Sequence, residues 1–313
     1  MPYFRVTLTL TTALGTPMHS GTLWGHFAWA VRYSERKAAL EQWLRNQMVN
    51  PWLLSSAMPE GMLPRPLLRP CRRFNAHANL KTLEARKKRR KMEWIPENLF
   101  LSLRERLNED SIDAGLADCT FPVAPSLLPA RVAHNTIDRI SGTTPAQGGL
   151  YFKDDWFPLR DGTRVQIFIE ASVEDHSRID TLLGFIGENG FGRDASIGRG
   201  TFTHEMVEEG ALFAASGDRA MSLSHGVVTD RMKYPRYKLH THFGKLGGHR
   251  VNDAAGPYKY PVLMARPGTT YTPEGDGPYG RLLGGEAEPV HRRLIDVHHH
   301  ALHLPLFFTE EAS

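Results

Sequence analysis

The sequence predicts an α+β fold. Residues 1–210 form a ferredoxin-like (RRM-type) β-α-β-β-α-β sandwich with a large insertion after its first helix, and a second unit runs from residue 211 to 313. Three observations predict this. Tyr3–Leu10 and Arg164–Ala171 alternate apolar and polar residues as half-buried strands do; segments after Ser20 and around Ile179–Ile186 repeat apolar residues at helical spacing; and a glycine-rich loop then leads into a third alternating run, Thr201–Glu208.

In the first strand Phe4, Val6, Leu8 and Leu10 share one face, and Tyr3, Arg5, Thr7 and Thr9 the other. Ser20 is the expected N-cap of a helix carrying Leu23, Phe27, Ala30 and Val31. A second helix is expected after Ser34, with Leu40, Trp43, Leu44 and Met48 as its apolar stripe and Pro51 as its end. Arg131–Phe157 reads as two short extended arms around a glycine-containing tip. Val165, Ile167, Ile169 and Ala171 mark a core strand. Ile179, Leu182, Leu183 and Ile186 mark an amphipathic helix capped by Asp175 or Ser177 and stopped by Gly187 and Gly190. Beyond residue 211 the chain is rich in Gly, Pro and His. Only weak strand signals recur there, around 222–229, 258–264 and 294–308.

The chain has 313 residues and a formal net charge of +4. That charge is unevenly placed: Arg65–Lys91 holds eleven basic residues against the single acid Glu84, so this stretch is +10 and the rest −6. The run Arg86, Lys87, Lys88, Arg89, Arg90, Lys91, inside a basic segment 59–95, reads either as a solvated or disordered charged stretch or as one laid against a polyanion. Cys71 and Cys119 form no C-x-x-C pair, which argues against a disulfide framework or thiolate metal site. The opening residues run straight into a strand with no apolar signal core, and no apolar run approaches membrane-spanning length. A cytoplasmic protein with no membrane contact is expected.

The richest motif is residues 190–200, Gly-Phe-Gly-Arg-Asp-Ala-Ser-Ile-Gly-Arg-Gly. Gly190-x-Gly192-x-x-Ala195 imitates a dinucleotide fingerprint, but here a helix precedes and a strand follows, the reverse of what that fingerprint needs. No G-x-x-x-x-G-K-[ST] is present. Two readings stand: a tight turn whose glycines only permit positive φ, or a phosphate cradle in which Gly190, Gly192, Gly198 and Gly200 expose amides beside Arg193, Ser196 and Arg199. His298, His299, His300 and His303 do not collect on one face of a strand, so no metal and no cofactor is expected. No H-E-x-x-H or G-x-S-x-G occurs, and no catalytic residue is assigned. His19 or His134 would serve as a general base only in an endoribonuclease; each otherwise reads as a donor to a backbone group or phosphate.

Three stretches in order carry a family resemblance: His19-Ser20-Gly21-Thr22-Leu23; Asn135-Thr136-Ile137-Asp138-Arg139-Ile140-Ser141-Gly142 followed by Gly149-Leu150-Tyr151-Phe152; and the glycine loop. The chain resembles RAMP-superfamily proteins of CRISPR effector complexes, most closely the Cas-five group subunit of type III-A (Csm-like) complexes that binds the CRISPR RNA 5′ handle. The resemblance implies two ferredoxin-like RAMP domains, an inserted thumb hairpin at about 131–157 and a glycine-rich loop at 190–200. It implies RNA contacts from His19, Ser20, Thr22, His134, Asn135, Arg139 and the glycine loop. It further implies CRISPR RNA, a large Cas-ten-type subunit and a backbone RAMP subunit as partners, with target RNA met indirectly. Family members commonly carry an acid where this chain has Gly21. Backbone subunits of the superfamily cut target RNA with an aspartate between the first strand and first helix, and Thr11–Thr22 holds no Asp or Glu here. The expectation is therefore a non-catalytic subunit, with a metal-independent RNA-processing endoribonuclease of the same superfamily as the alternative.

Overall fold

The computed structural model describes residues 1–70, 80–118, 127–252, 254 and 256–311. Both cysteines and part of the basic segment lie outside the described residues. Strand β1 (Tyr3–Leu10) buries the face expected: Phe4, Val6, Leu8 and Leu10 are no more than 2% exposed. Helix α1 (Ser20–Ser34) packs Leu23, Phe27, Ala30 and Val31 beneath it. Its N-cap is His19, not Ser20; the Ser20 hydroxyl instead donates to the His225 carbonyl oxygen at 3.1 Å. In α2 (Arg36–Val49) the inward position falls to Gln47 rather than Met48, which is exposed. Gln47 Oε1 accepts from Trp24 Nε1 and the Trp52 amide at 3.1 and 3.0 Å.

Short strands β2 (Leu53–Leu54), β3 (Met58–Pro59) and β4 (Met62–Pro64) follow, then α3 (Leu80–Arg90), β5 (Trp94–Pro96), α4 (Glu97–Leu103) and α5 (Glu109–Asp118). A long antiparallel hairpin comes next, β6 (Leu127–Asn135) with β7 (Leu150–Pro158), in register from Leu127↔Pro158 to Asn135↔Leu150. Strand β8 (Arg164–Glu170), helix α6 (His176–Asn189) and β9 (Phe202–Glu208) complete the first unit. Its sheet has the order β2-β8-β1-β9, with β3 also on β8, and every pair is antiparallel. Neither Asp175 nor Ser177 caps α6 with its side chain. Ser172 begins a preceding 3-10 turn and accepts from the Asp175 amide, while the Asp175 carboxylate accepts from Trp52 Nε1 at 2.9 Å.

The remaining strands are β10 (Arg219–Ser222), β11 (Met232–Arg236), β12 (Leu239–His242), β13 (Val262–Ala265), β14 (Thr270–Pro273), β15 (Tyr279–Gly284), β16 (His298–His303) and β17 (Pro305–Phe308). Four form a sheet in the order β11-β14-β10-β17, while β12-β13 and β15-β16 form ladders of two. Among the described residues no α-helix follows α6.

Two hydrophobic cores, the larger ones, meet on β8. Val165, Ile167 and Ile169 enter the core formed with α1 and α6, and Phe168 enters a second core on the opposite face. That second core mixes Phe100, Leu107, Ile112 and Leu116 with Met221, Leu304, Leu306 and Phe308. The inserted helices α4 and α5 thus supply apolar cover to strands on the far side of position 211. Gln166, fully buried on β8, is satisfied by donating to the Met62 carbonyl oxygen at 2.9 Å.

Candidate nucleic-acid interface

The glycine loop leaves α6 and returns to β9 through a closed neck. The Phe191 amide donates to the Gly200 carbonyl oxygen at 2.9 Å, and Gly190 and Gly200 hold positive φ of 86° and 73°. A side chain at Gly190 would run into the Arg199 carbonyl, and one at Gly200 into the Phe191 backbone, so both positions require glycine. Phe191 is fully buried and stacks near His26, centroids 4.3 Å apart. The loop is anchored from inside, not draped on the surface.

Most of the loop's amides are already engaged. Gly190, Phe191, Ile197, Gly198, Arg199 and Gly200 donate to carbonyl oxygens, Gly192 donates to His26 Nε2 at 2.9 Å, and Arg193 donates to Thr16 Oγ1 at 3.0 Å. The amides of Asp194, Ala195 and Ser196 have no acceptor among the described residues, and they are consecutive on the outer lip, where Ser196 and Gly198 are exposed. The cradle is therefore narrower than four glycines suggest, three amides at one turn.

The loop's cations are also engaged. Asp155, 1% exposed on β7, is bound by Arg193 at 2.8 Å and by Arg199 at 3.1 Å. Lys153 reaches Asp194 at 2.7 Å, and Arg199 lies over the Phe157 ring at 5.4 Å. Burial alone would raise the Asp194 pKa; the Lys153 ammonium, with Arg193 beside it, reverses that and holds the carboxylate below its ordinary range. Leu14 and Trp156 exchange both backbone hydrogen bonds at 2.9 Å. Glycine loop, hairpin base and the β1–α1 connection thus form one body, with three cations against two carboxylates.

From that base the hairpin projects outward. Phe152, Tyr151 and Leu150 are 51%, 40% and 61% exposed, and at the tip Ile137 and Ile140 are 60% and 99% exposed. The tip is ordered by polar contacts: Asp138 accepts from the Ile140 amide, and Asn135 Nδ2 donates to Thr144 Oγ1 at 3.2 Å. Arg131 lies over Phe152, His134 stacks on Tyr151 at 5.4 Å, and Arg139 is exposed at the tip. An arm with large apolar residues left in water has the character of an interaction surface.

No protein-family model and no curated protein matches the chain. Solved structures do. A chain of the crystal structure of a Csm1–Csm4 cassette in complex with AMPPNP superposes with a TM-score of 0.64 at 17% identity, covering 100% of both chains. A chain of the Csm3–Csm4 subcomplex of a type III-A CRISPR-Cas interference complex superposes with a TM-score of 0.58 at 14% identity, covering 98% of this chain and 99% of that one. The component common to both is Csm4. This chain has the Csm4 fold. The resemblance read from the three sequence stretches is borne out at that level, as is a mixed α/β architecture of antiparallel sheets.

Within this Csm4-like fold the expected site residues are divided. The loop residues and the hairpin base come together, while His134, Asn135 and Arg139 are carried outward along the arm. Ser20 is fully buried and hydrogen-bonded to His225 and Ser56, so its hydroxyl is not available to a surface ligand. Thr22 is half-buried, and His19 packs against His225 at 3.9 Å. Gly21 faces β16, where a Cβ would lie 2.6 Å from the His300 carbonyl oxygen and 2.8 Å from the His299 ring, which leaves no room for an acid.

The run Arg86–Lys91 is neither disordered nor uniformly exposed. Arg86 and Arg89 turn toward α5, where Arg89 Nε is 2.8 Å from Asp113 and Arg86 pairs with Asp110. Lys87, Lys88, Arg90 and Lys91 are exposed and have no ion pair among the described residues. Helical spacing sorts the charges, one face held by acids and the other directed to solvent. Sequence reasoning missed Asp155, Lys153 and His26. Only the apolar–acidic pattern of β7 hinted at the first, and nothing in the sequence pairs His26 with a loop so distant.

Proposed function

We propose that this chain is a non-catalytic, cytoplasmic RNA-binding subunit of a type III CRISPR effector complex. It caps the 5′-handle end of the CRISPR RNA and bridges a large Cas-ten-type subunit to the backbone RAMP subunits, meeting target RNA indirectly. One observation carries this reading: the full-length likeness to a subunit that occurs both with Csm1 and with Csm3 in the neighbouring structures. Strand order β2-β8-β1-β9 with helices α1 and α6 supports a ferredoxin-like reading of the first unit.

The site chemistry supports RNA rather than a small ligand. Three adjacent amides with Ser196 suit a phosphate, and Tyr151, Phe152 and Ile140 offer faces against which unstacked bases or a wedge fit. In this reading the β6–β7 hairpin is the thumb, with His134, Asn135 and Arg139 along it, and the exposed face of α3 adds a sequence-independent contact. The absence of any acid in Thr11–Thr22 supports a non-cleaving role.

The test combines binding and cleavage. The purified chain, alone and co-expressed with a large and a backbone subunit of its own system, is titrated with handle RNA and with unrelated RNA of equal length. Preference for the handle RNA and recovery of a three-subunit assembly are expected. Equal affinity for both RNAs argues for a general single-strand binder. Discrete metal-free cleavage of repeat-containing precursor RNA, abolished by His19→Ala or His134→Ala, overturns the non-catalytic assignment.

A further inference from the structure

The buried and half-buried histidines of this protein include two groups. His300 Nε2 lies 3.0 Å from the Trp52 carbonyl oxygen, His303 is held by Ser222 at 2.6 Å and the Val227 carbonyl oxygen at 3.0 Å, and His291 Nε2 lies 3.0 Å from the Gly256 carbonyl oxygen. These are ordinary core imidazoles with backbone or hydroxyl partners. A second group behaves differently. His19 at the start of α1, His225 after β10, His240 and His242 on β12, and His299 on β16 lie side by side, drawn from distant parts of the chain.

Within this second group one ring nitrogen each from His19, His225 and His240 lies within 4.8 Å of the other two. The ring centroids are 3.9 Å apart for His19–His225 and 5.0 Å for the two pairs with His240. Neither the His19 nor the His240 ring has a hydrogen-bond partner among the described residues. On the far side of His242, which stacks on it at 4.9 Å, His299 Nε2 is buried without a partner among the described residues. Three imidazole nitrogens thus converge at the edge of the core, and two of the three rings have no protein partner among the described residues that would compete with a cation.

We propose that His19, His225 and His240 form a site for a borderline divalent transition metal of the zinc class, a function apart from RNA recognition. Three imidazole nitrogens suit zinc or cobalt, and neither magnesium nor calcium favours such a donor set. Ser56 Oγ lies 2.8 Å from His225 Nδ1; in the tautomer with Nδ1–H donating to it, Nε2 is left for the metal, the outer-shell arrangement common for ligating histidine. The expectation of no metal rested on His298–His303 and on the lack of a cysteine pair. Only His299 of that run reaches this cluster, and it lies outside the ligand triad.

A metal here would pin the start of α1 to β12 and to the segment after β10, joining the first unit to the second. The test uses tag-free full-length protein, stripped with chelator and returned to phosphate-free buffer. One equivalent of Zn²⁺ per chain by elemental analysis is expected, with a rise in melting temperature and, for Co²⁺, the intense visible bands of a four-coordinate site. His240→Ala should weaken Zn²⁺ binding at least about 100-fold, whereas His249→Ala, at an exposed position outside the cluster, should leave it unchanged. Absence of both bound zinc and the cobalt bands in the wild type overturns the site without recourse to any variant. Equal Zn²⁺ affinity in wild type and folded His240→Ala overturns the ligand assignment.

Discussion

Arg193 binds Asp155 at 2.8 Å, one of several contacts that fasten the glycine loop to the base of the projecting hairpin. Arg199 reaches the other oxygen of the same carboxylate at 3.1 Å. Replacing Asp155 with Asn should lower stability by about 2–4 kcal/mol, because a buried charge pair is broken from its most buried side. Urea melts of Asp155→Asn, Arg199→Ala and the double variant check this. If Arg199→Ala costs the same in both backgrounds, the two residues are not coupled.

The bond from the Gly192 amide to His26 Nε2 requires an unprotonated imidazole. Burial pushes His26 down to about 4 from 6.5, so this is a group whose folded pKa is depressed. Its contribution is complete above pH 6.5 and is lost as pH falls through about 4, since the unfolded chain binds the proton more readily in that window. Stability of the wild type should therefore fall between those pH values more steeply than that of His26→Phe, measured by urea midpoints. Parallel pH profiles would remove His26 from the account.

Two glycines of the loop separate backbone strain from crowding. Gly198 and Gly200 both hold positive φ, but a side chain at Gly198 meets nothing within 4 Å. Gly198→Ala should cost about 1 kcal/mol, the price of a left-handed residue with a Cβ. Gly200→Ala must also displace Phe191, for a total of about 3 kcal/mol. Similar melting temperatures for the two variants would contradict a closed neck.

On α3 the exposed and the ion-paired cations should separate in two assays. Changing Lys87, Lys88, Arg90 and Lys91 to Gln should reduce the salt dependence of RNA binding, lowering the slope by up to about 3, with little change in melting temperature. Arg89→Gln should do the reverse, since its guanidinium is tied to Asp113. A salt slope unchanged by the fourfold substitution would remove this helix from the interface.

Strands β1 and β9 and helix α6 were legible because each carries one regular period, the alternating face of β1 being the buried one, and β8 through Val165, Ile167 and Ile169 although Phe168 is buried on its other face. Most strands after residue 211 were not, although β13, β16 and β17 overlap the expected signals at 258–264 and 294–308. They run four to six residues, and β10 pairs with β14 and β17, so their partners are set by tertiary packing rather than by local pattern. Met48 was misplaced because a helical stripe does not foretell that Gln47 will be needed inward to satisfy Trp24. The site divides in the same way. Glycine spacing revealed the loop, but its hydrogen-bond acceptors, Thr16 and His26, and the carboxylate of Asp155 come from other elements. The basic run was read as free charge because the acids that hold two of its six cations belong to a different helix.

The second core has a bearing on how the protein is made. Phe100, Leu107, Ile112 and Leu116 leave the ribosome long before Leu304, Leu306 and Phe308, which close the same core. At ordinary elongation rates the delay is about 10–40 s. Throughout that time the apolar surface that Leu304, Leu306 and Phe308 will cover stays open. Chaperones or aggregation therefore compete for the nascent chain until its final strand is translated, and any truncation before β17 would leave that surface open for good.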